Sequence, residues 1–316
     1  MAEANPAPDP NRSQLPVALT GATGFIGTHL QLQLNEAGFA ARALTRSPAT
    51  NLQPGIQEVR ADLSCDSALK EALANSRAVV YLAGSVRGRR LNDFTPANVD
   101  GVANVARVLA EHYPETPLLL VSSLAASAPA LSHYACSKAL GEHALRQSAL
   151  ARWTILRPPA VYGDGDKELR GTFGAIRRGL VPMPGPAAQR IPFIEVTDLA
   201  SAIIAWLGDP GACDRECYTI HDGHPDGYDW KTMADLLAPK IHIALPVPNS
   251  LLRALGSVNL AFSKCAGYAP MLTPGKAREL AYSGWSCSND AFTAATGWRP
   301  EAVSYTHLTL PTTPYV

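Results

Sequence analysis

Along the first half of the chain, short apolar runs alternate with longer stretches whose apolar positions recur three and four residues apart. Val17–Thr20, Ala40–Thr45, Ile56–Arg60, Ala78–Leu82, Leu118–Ser122 and Trp153–Leu156 read as strands. Phe25–Ala37, which stops at Gly38, together with Cys65–Asn75, Pro96–His112 and Tyr134–Leu150, read as helices. Strand, helix and strand repeated this often need right-handed crossovers, so the pattern predicts a doubly wound α/β fold with a parallel sheet covered on both faces. Beyond Arg157 the regularity fades. Pro158–Pro192 carries six glycines among six prolines and reads as a looped crossing with a helix near Thr172–Arg178. Val196–Leu207 and Tyr228–Leu237 return to helix and Cys217–Ile220 to strand, while the remainder, notably Leu251–Phe262, is apolar but irregular. The expected organisation is a lead-in over 1–16, a sheet domain over 17–165 to which 194–222 return, and a smaller domain from 166–193 and 223–302 closing over the sheet's carboxyl edge.

The 316 residues carry 27 Lys and Arg against 27 Asp and Glu, which gives no overall electrostatic footprint for a nucleic acid or an anionic membrane. Six cysteines without paired spacing read as reduced, buried thiols. No apolar run is long enough to span a bilayer, and the Pro- and Asn-rich start lacks the apolar core of a signal peptide, so a cytoplasmic protein is expected.

Candidate chemistry starts between the first strand and helix, at Thr20-Gly21-Ala22-Thr23-Gly24-Phe25-Ile26-Gly27. Glycines there permit a tight turn and a close backbone approach to a pyrophosphate, which the positive end of the helix favours. Gly21, Thr23, Gly24, Phe25, Ile26 and Gly27 are therefore expected to bind a dinucleotide. The second strand ends in Leu44-Thr45-Arg46-Ser47, where an acidic residue would accept from a ribose 2′-hydroxyl; Arg46 suits a 2′-phosphate instead, so NADP(H) is expected, with NAD(H) as the alternative. Asp62 and Leu63 after the third strand, and Leu82, Ala83 and Gly84 after the fourth, should flank the same cofactor along the sheet edge.

Eleven residues past Ser123 comes Tyr134, with Lys138 one helical turn further on the same face. An adjacent ammonium would favour the phenolate, which makes Tyr134 a credible acid or base and Ser123 a hydrogen-bonding partner for the substrate oxygen, with Ser122 as its rival. Arg157-Pro158-Pro159-Ala160-Val161-Tyr162-Gly163 follows the sixth strand. Taken together, these motifs resemble the extended branch of the short-chain dehydrogenase/reductase superfamily, over roughly Val17 to Pro300.

The resemblance implies Ser123, Tyr134 and Lys138 as the catalytic group, and Asn98 in Ala97-Asn98-Val99-Asp100-Gly101 as support for a proton relay. Lys138 would also hold the nicotinamide ribose, and Pro158 and Val161 would line the nicotinamide. Asp198, in Phe193-Ile194-Glu195-Val196-Thr197-Asp198, is expected to cap a helix, and Asp164-Gly165-Asp166 to form a turn rather than a metal site. A homodimer through the Pro96–His112 and Tyr134–Leu150 helices is a further implication.

Ile241–Pro248 and Leu251–Leu255 are aliphatic, whereas a sugar diphosphate would want arginines. The expected reaction is therefore ketone–alcohol interconversion on a small, apolar, lipid- or steroid-like molecule. A nucleotide-sugar epimerase or dehydratase is the alternative, and a non-catalytic dinucleotide-binding subunit the second. Thr296-Gly297-Trp298-Arg299-Pro300 resembles the family's closing segment, but 303–316 back-translates in part to a transposon-type sequencing adapter and reads as a non-native tail in place of a last helix.

Overall fold

The computed structural model describes residues 14–186, 189–224 and 226–301. The 303–316 tail and nearly all of the lead-in lie outside them. In the first half, β1 (Val17–Thr20), α1 (Phe25–Glu36), β2 (Ala41–Thr45), β3 (Gln57–Arg60), α2 (Asp66–Leu73), β4 (Ala78–Tyr81), α3 (Gly101–His112), β5 (Leu118–Val121), α4 (His133–Gln147) and β6 (Trp153–Arg157) follow in turn. β1, β4 and β5 are buried at every position, as strands covered on both faces must be. The predicted helix from Pro96 differs in one respect: Pro96–Asp100 forms a π turn before α3 begins, and this bulge places Asn98.

The second half holds more regular structure than its pattern predicts. After β7 (Ala160–Tyr162) and α5 (Arg170–Arg177) come β8 (Leu180–Pro184), β9 (Phe193–Glu195), α6 (Val196–Gly208), β10 (Glu216–Thr219) and α7 (Trp230–Leu237). They are followed by β11 (Ile243–Val247), α8 (Asn249–Ala266), α9 (Pro274–Leu280) and α10 (Asp290–Thr296). Leu251–Phe262, expected to be irregular, lies inside the 18-residue α8. Its helical period escapes detection because Gly256 and Ser263 are its buried residues while Leu251, Leu255, Val258 and Phe262 are exposed. The cysteines also depart from expectation: all six are free, but only Cys213 is buried, and Cys65 and Cys265 are exposed.

Seven parallel strands form the central sheet in the order β10-β6-β5-β4-β1-β2-β3. One apolar layer gathers around Leu30, Leu34, Ile203 and Trp206, from α1 and α6, and another around Leu69, Val105 and Leu109, from α2 and α3. A third cluster, around Tyr162, Phe173, Phe193 and Met233, is the core of the smaller half. Chain order reverses between β1 and β4, the switch point at whose carboxyl ends sheets of this kind bind their ligands.

Candidate active site

Glycine is required where the β1–α1 loop meets the β4 end. Gly21 has φ +68°, and a Cβ there would lie 2.6 Å from the Ala83 nitrogen. At Gly27 a Cβ would lie 2.4 Å from the carbonyl oxygens of Gly21 and Ala22, so the first turn of α1 is pressed onto the loop. Gly24 caps α1 with no side chain, leaving the first N–H groups of the helix available to an anion. The Thr20 hydroxyl oxygen accepts from the Leu82 and Ala83 nitrogens at 3.2 and 3.1 Å, tying the two strand ends together. These features fit a pyrophosphate at Gly21–Gly27.

Thr23 and Arg46 are exposed. The carboxylate nearest the β2 end, Glu58, accepts from the Thr45 hydroxyl at 2.6 Å and the Ala49 nitrogen at 3.0 Å. Asp62 accepts from the backbone and hydroxyl of Ser64, and those bonds hold its carboxyl below the usual carboxylate range. Leu63 packs against the α2–α3 core layer.

A cleft of about 500 Å³ runs from this edge into the smaller half. Among the predicted residues it is bordered by Phe25, Ile26, Leu82, Gly84, Ser123, Tyr134, Lys138, Pro158 and Val161. Arg46, Asp62 and Leu63 do not border it.

Ser132 caps α4, its oxygen accepting from the Ala135 nitrogen at 2.9 Å, and Tyr134 follows in the first turn. The phenol is hydrogen-bonded to Ser123; burial pushes it up to about 12, the Ser123 bond works against that rise, and Glu279 adds to it. Lys138 is buried and brought down to about 8 by burial, against the pull of Glu142. Its ammonium donates to the Val121 carbonyl at 3.1 Å.

Ser122 also borders the cleft but donates at 2.6 Å to Glu142 in the interior. Ser123 alone of the pair reaches the phenol. Asn98 is buried, and its amide donates to the Ser85 carbonyl at 3.0 Å and the Ser137 hydroxyl at 2.8 Å. Ser137 in turn donates to the Tyr134 carbonyl at 2.7 Å. The Asn98 side chain thus braces the turn that carries Tyr134, while its backbone carbonyl faces Gly141, where a Cβ would lie 2.0 Å away.

Sequence reasoning missed Glu142, Ser137, Gly141 and α9. Glu142 was within reach, one further turn along the 134–138 face. It is fully buried and accepts from both Arg157 nitrogens, at 2.8 and 2.6 Å, and from Arg146 at 3.1 Å. From α9, the Lys276 ammonium stands 6.0 Å from the Tyr134 ring centre and 2.8 Å from Glu279, which accepts from Ser132. Arg278 donates to the Leu131 carbonyl at 2.7 Å.

The substrate end of the cleft is walled by Phe94, Phe173, Phe193, Trp230, Leu260 and Met271. Ile241–Pro248 and Leu251–Leu255, the segments expected to form this wall, do not border it; they are largely on the surface. The predicted cap also shifts: Glu195, not Asp198, caps α6, and Asp198 accepts from the Glu301 nitrogen with its carboxyl raised to about 7 by burial. Asp166 closes a turn by accepting from the Glu168 and Leu169 nitrogens.

With this geometry in place, comparison with known proteins is informative. The profile of the NAD-dependent epimerase/dehydratase family matches residues 17–218. The chain is also 34% identical over 284 residues to the ceramide reductase of Caulobacter vibrioides, covering 86% of each chain. The chain belongs to the NAD-dependent epimerase/dehydratase family. It is an NAD(P)-dependent oxidoreductase of the extended short-chain dehydrogenase/reductase type. A mitochondrial NADH dehydrogenase alpha subcomplex subunit 9 of Arabidopsis thaliana is 28% identical over 242 residues, 72% of this chain and 60% of that one. The fold is shared with a human epimerase family protein solved with NADPH, at a TM-score of 0.69 and 19% identity over 93% of this chain and 96% of that one.

Proposed function

We propose that this family member uses NADPH to reduce a ketone on an apolar, lipid-like molecule to a secondary alcohol, with Tyr134 as the acid. The observation that carries the reading is Tyr134 beside Ser123 and one helical turn from Lys138, in a cleft whose far end is aliphatic and aromatic. A neutral phenol placed beside Ser123 and Lys138 can give its proton to a forming alkoxide, which is the reductive direction. Lys276 at the cleft is neutralised by Glu279, and of the two arginines that border it, Arg89 and Arg278, the second is engaged with the Leu131 carbonyl. The likeness to a ceramide reductase supports the same substrate class.

Gly21, Gly24 and Gly27 would hold the pyrophosphate, Arg46 a 2′-phosphate, and Pro158 and Val161 the nicotinamide. When bound there, the reduced dinucleotide supplies the hydrogen and electron pair that the carbonyl carbon takes up. Ser123 donates a hydrogen bond to the carbonyl oxygen and fixes its place beside Tyr134. Tyr134 transfers its O–H proton to the forming alkoxide, and its own oxygen keeps the bonding pair as phenolate. Lys138, still largely protonated at neutral pH, offsets that charge.

The test mixes the purified protein with NADPH and a panel of long-chain keto lipids, short hydrophilic ketones and UDP-sugars, following absorbance of the reduced nicotinamide. Keto lipids should be turned over with KM falling as the chain lengthens. Turnover of a UDP-sugar without any ketone reduction would overturn the reading in favour of an epimerase, and inertness toward all of them in favour of a binding subunit. Arg46→Asp should weaken NADPH about tenfold and leave NADH unchanged; equal loss for both refutes the 2′-phosphate contact.

A further inference from the structure

α8 is built inside out. Its face against the protein consists of Leu252, Gly256, Asn259, Leu260 and Ser263, with Gly256 and Ser263 fully covered. Leu251, Leu255, Val258 and Phe262, spaced by four, three and four residues along one stripe, are 49–68% exposed. Gly256 explains the inner face: a Cβ there would lie 2.7 Å from the Thr273 carbonyl carbon, so α8 lies directly on the start of α9. Asn259 fastens the contact by donating to the Leu272 carbonyl at 2.8 Å. In the preceding segment Ile241, Ile243 and Leu245 are exposed as well.

Charge selects what meets this surface. Residues 236–278 contain Lys240, Arg253, Lys264, Lys276 and Arg278 and no carboxylate, whereas the rest of the chain carries 22 Lys and Arg against 27 Asp and Glu; Lys276 is paired with Glu279 just beyond this stretch. A second copy of the chain would set these cations against one another, whereas an anionic lipid surface is complementary to them. Among the described residues no helix is long and apolar enough to cross a membrane, so α8 can lie in a bilayer interface but not span it. The face also adjoins the site: α8 supplies Leu260 to the cleft, and the segment after it supplies Pro270 and Met271.

We infer that α8 and the 241–245 segment form a docking surface for an anionic lipid bilayer, through which the cleft receives its substrate from the membrane. The choice of a bilayer rests in part on the lipid ketone proposed above. Leu251, Leu255, Val258 and Phe262 insert among the acyl chains, and Lys240, Arg253 and Lys264 hold lipid head groups at the rim.

The experiment sediments the full chain with vesicles of phosphatidylcholine alone, and of phosphatidylcholine with phosphatidylglycerol at roughly two to one. The wild type should bind the mixed vesicles at least about tenfold more tightly than the neutral ones, and Leu255→Glu with Phe262→Glu should lose about tenfold or more of that binding. Arg253→Glu with Lys264→Glu should remove the preference for phosphatidylglycerol. Both pairs should keep wild-type rates on a short-chain, water-soluble lipid ketone and lose rate only on a ketone embedded in vesicles. No sedimentation of the wild type, binding unchanged in the Glu pair, or a dimer in solution that the Glu pair dissolves would overturn docking even if the soluble ketone is reduced. Vesicle binding without reduction of any ketone would uphold docking and overturn the substrate reading.

Discussion

α4 and α8 break the same rule in opposite senses. α4 carries Ser137, Lys138 and Glu142 into the interior, whereas α8 turns Leu251, Leu255, Val258 and Phe262 out to solvent. Within α4 every one of those polar groups has a partner in the same chain: Asn98 for Ser137, the Val121 carbonyl for Lys138, and Ser122, Arg146 and Arg157 for Glu142. Within α8 the exposed stripe has no cover among the described residues. An inversion satisfied from inside builds a reactive site, and one left open builds a surface for something else.

If that contrast is right, substitutions in α4 act through chemistry and stability, and those in α8 through neither. Tyr134→Phe should lower ketone reduction by about 10²- to 10⁴-fold with dinucleotide binding retained, as read by steady-state rates and nicotinamide fluorescence. Glu142→Gln strips the countercharge from Arg157 and Arg146 and should cost about 3 kcal/mol in urea unfolding; a loss under half of that would show the cluster to be dispensable. Lys138 falls next: its lysine, brought down to about 8, loses its positive charge as pH rises, so kcat/KM should drop with an alkaline limb near that value. A profile flat to pH 10 would remove Lys138 from the mechanism. The smallest effect belongs to α8, where Leu255→Ser should change unfolding free energy by no more than about 0.5 kcal/mol without vesicles.

Legibility in the sequence follows the same division. β1, β4 and β5 were plain because a strand buried on both faces has no choice but to be apolar. β8 and β11 were not, since Pro182, Pro184 and Pro246 interrupt them and β11 is mostly exposed. Tyr134 and Lys138 were readable because one helical turn fixes their meeting. Lys276 and Glu279 lie some 140 residues downstream and reach Tyr134 only through the packing of α9 onto Ser132, which no local pattern records. The aliphatic Ile241–Leu255 stretch pointed to a lipid for the wrong place: the cleft is apolar through Phe94, Phe173, Phe193 and Trp230 instead.

Glu279 joins the two halves of the molecule in a way that runs in both directions. It fastens α9 to the cap of α4 through Ser132, and its charge makes Tyr134 hold its proton more firmly. Coupling between two such charges is reciprocal: what Glu279 does to the Tyr134 proton, the Tyr134 charge does to Glu279. Lys276, 2.8 Å from Glu279 and 6.0 Å from the Tyr134 ring centre, is the cation shared by both, so a phenolate formed as proposed would compete with Glu279 for it.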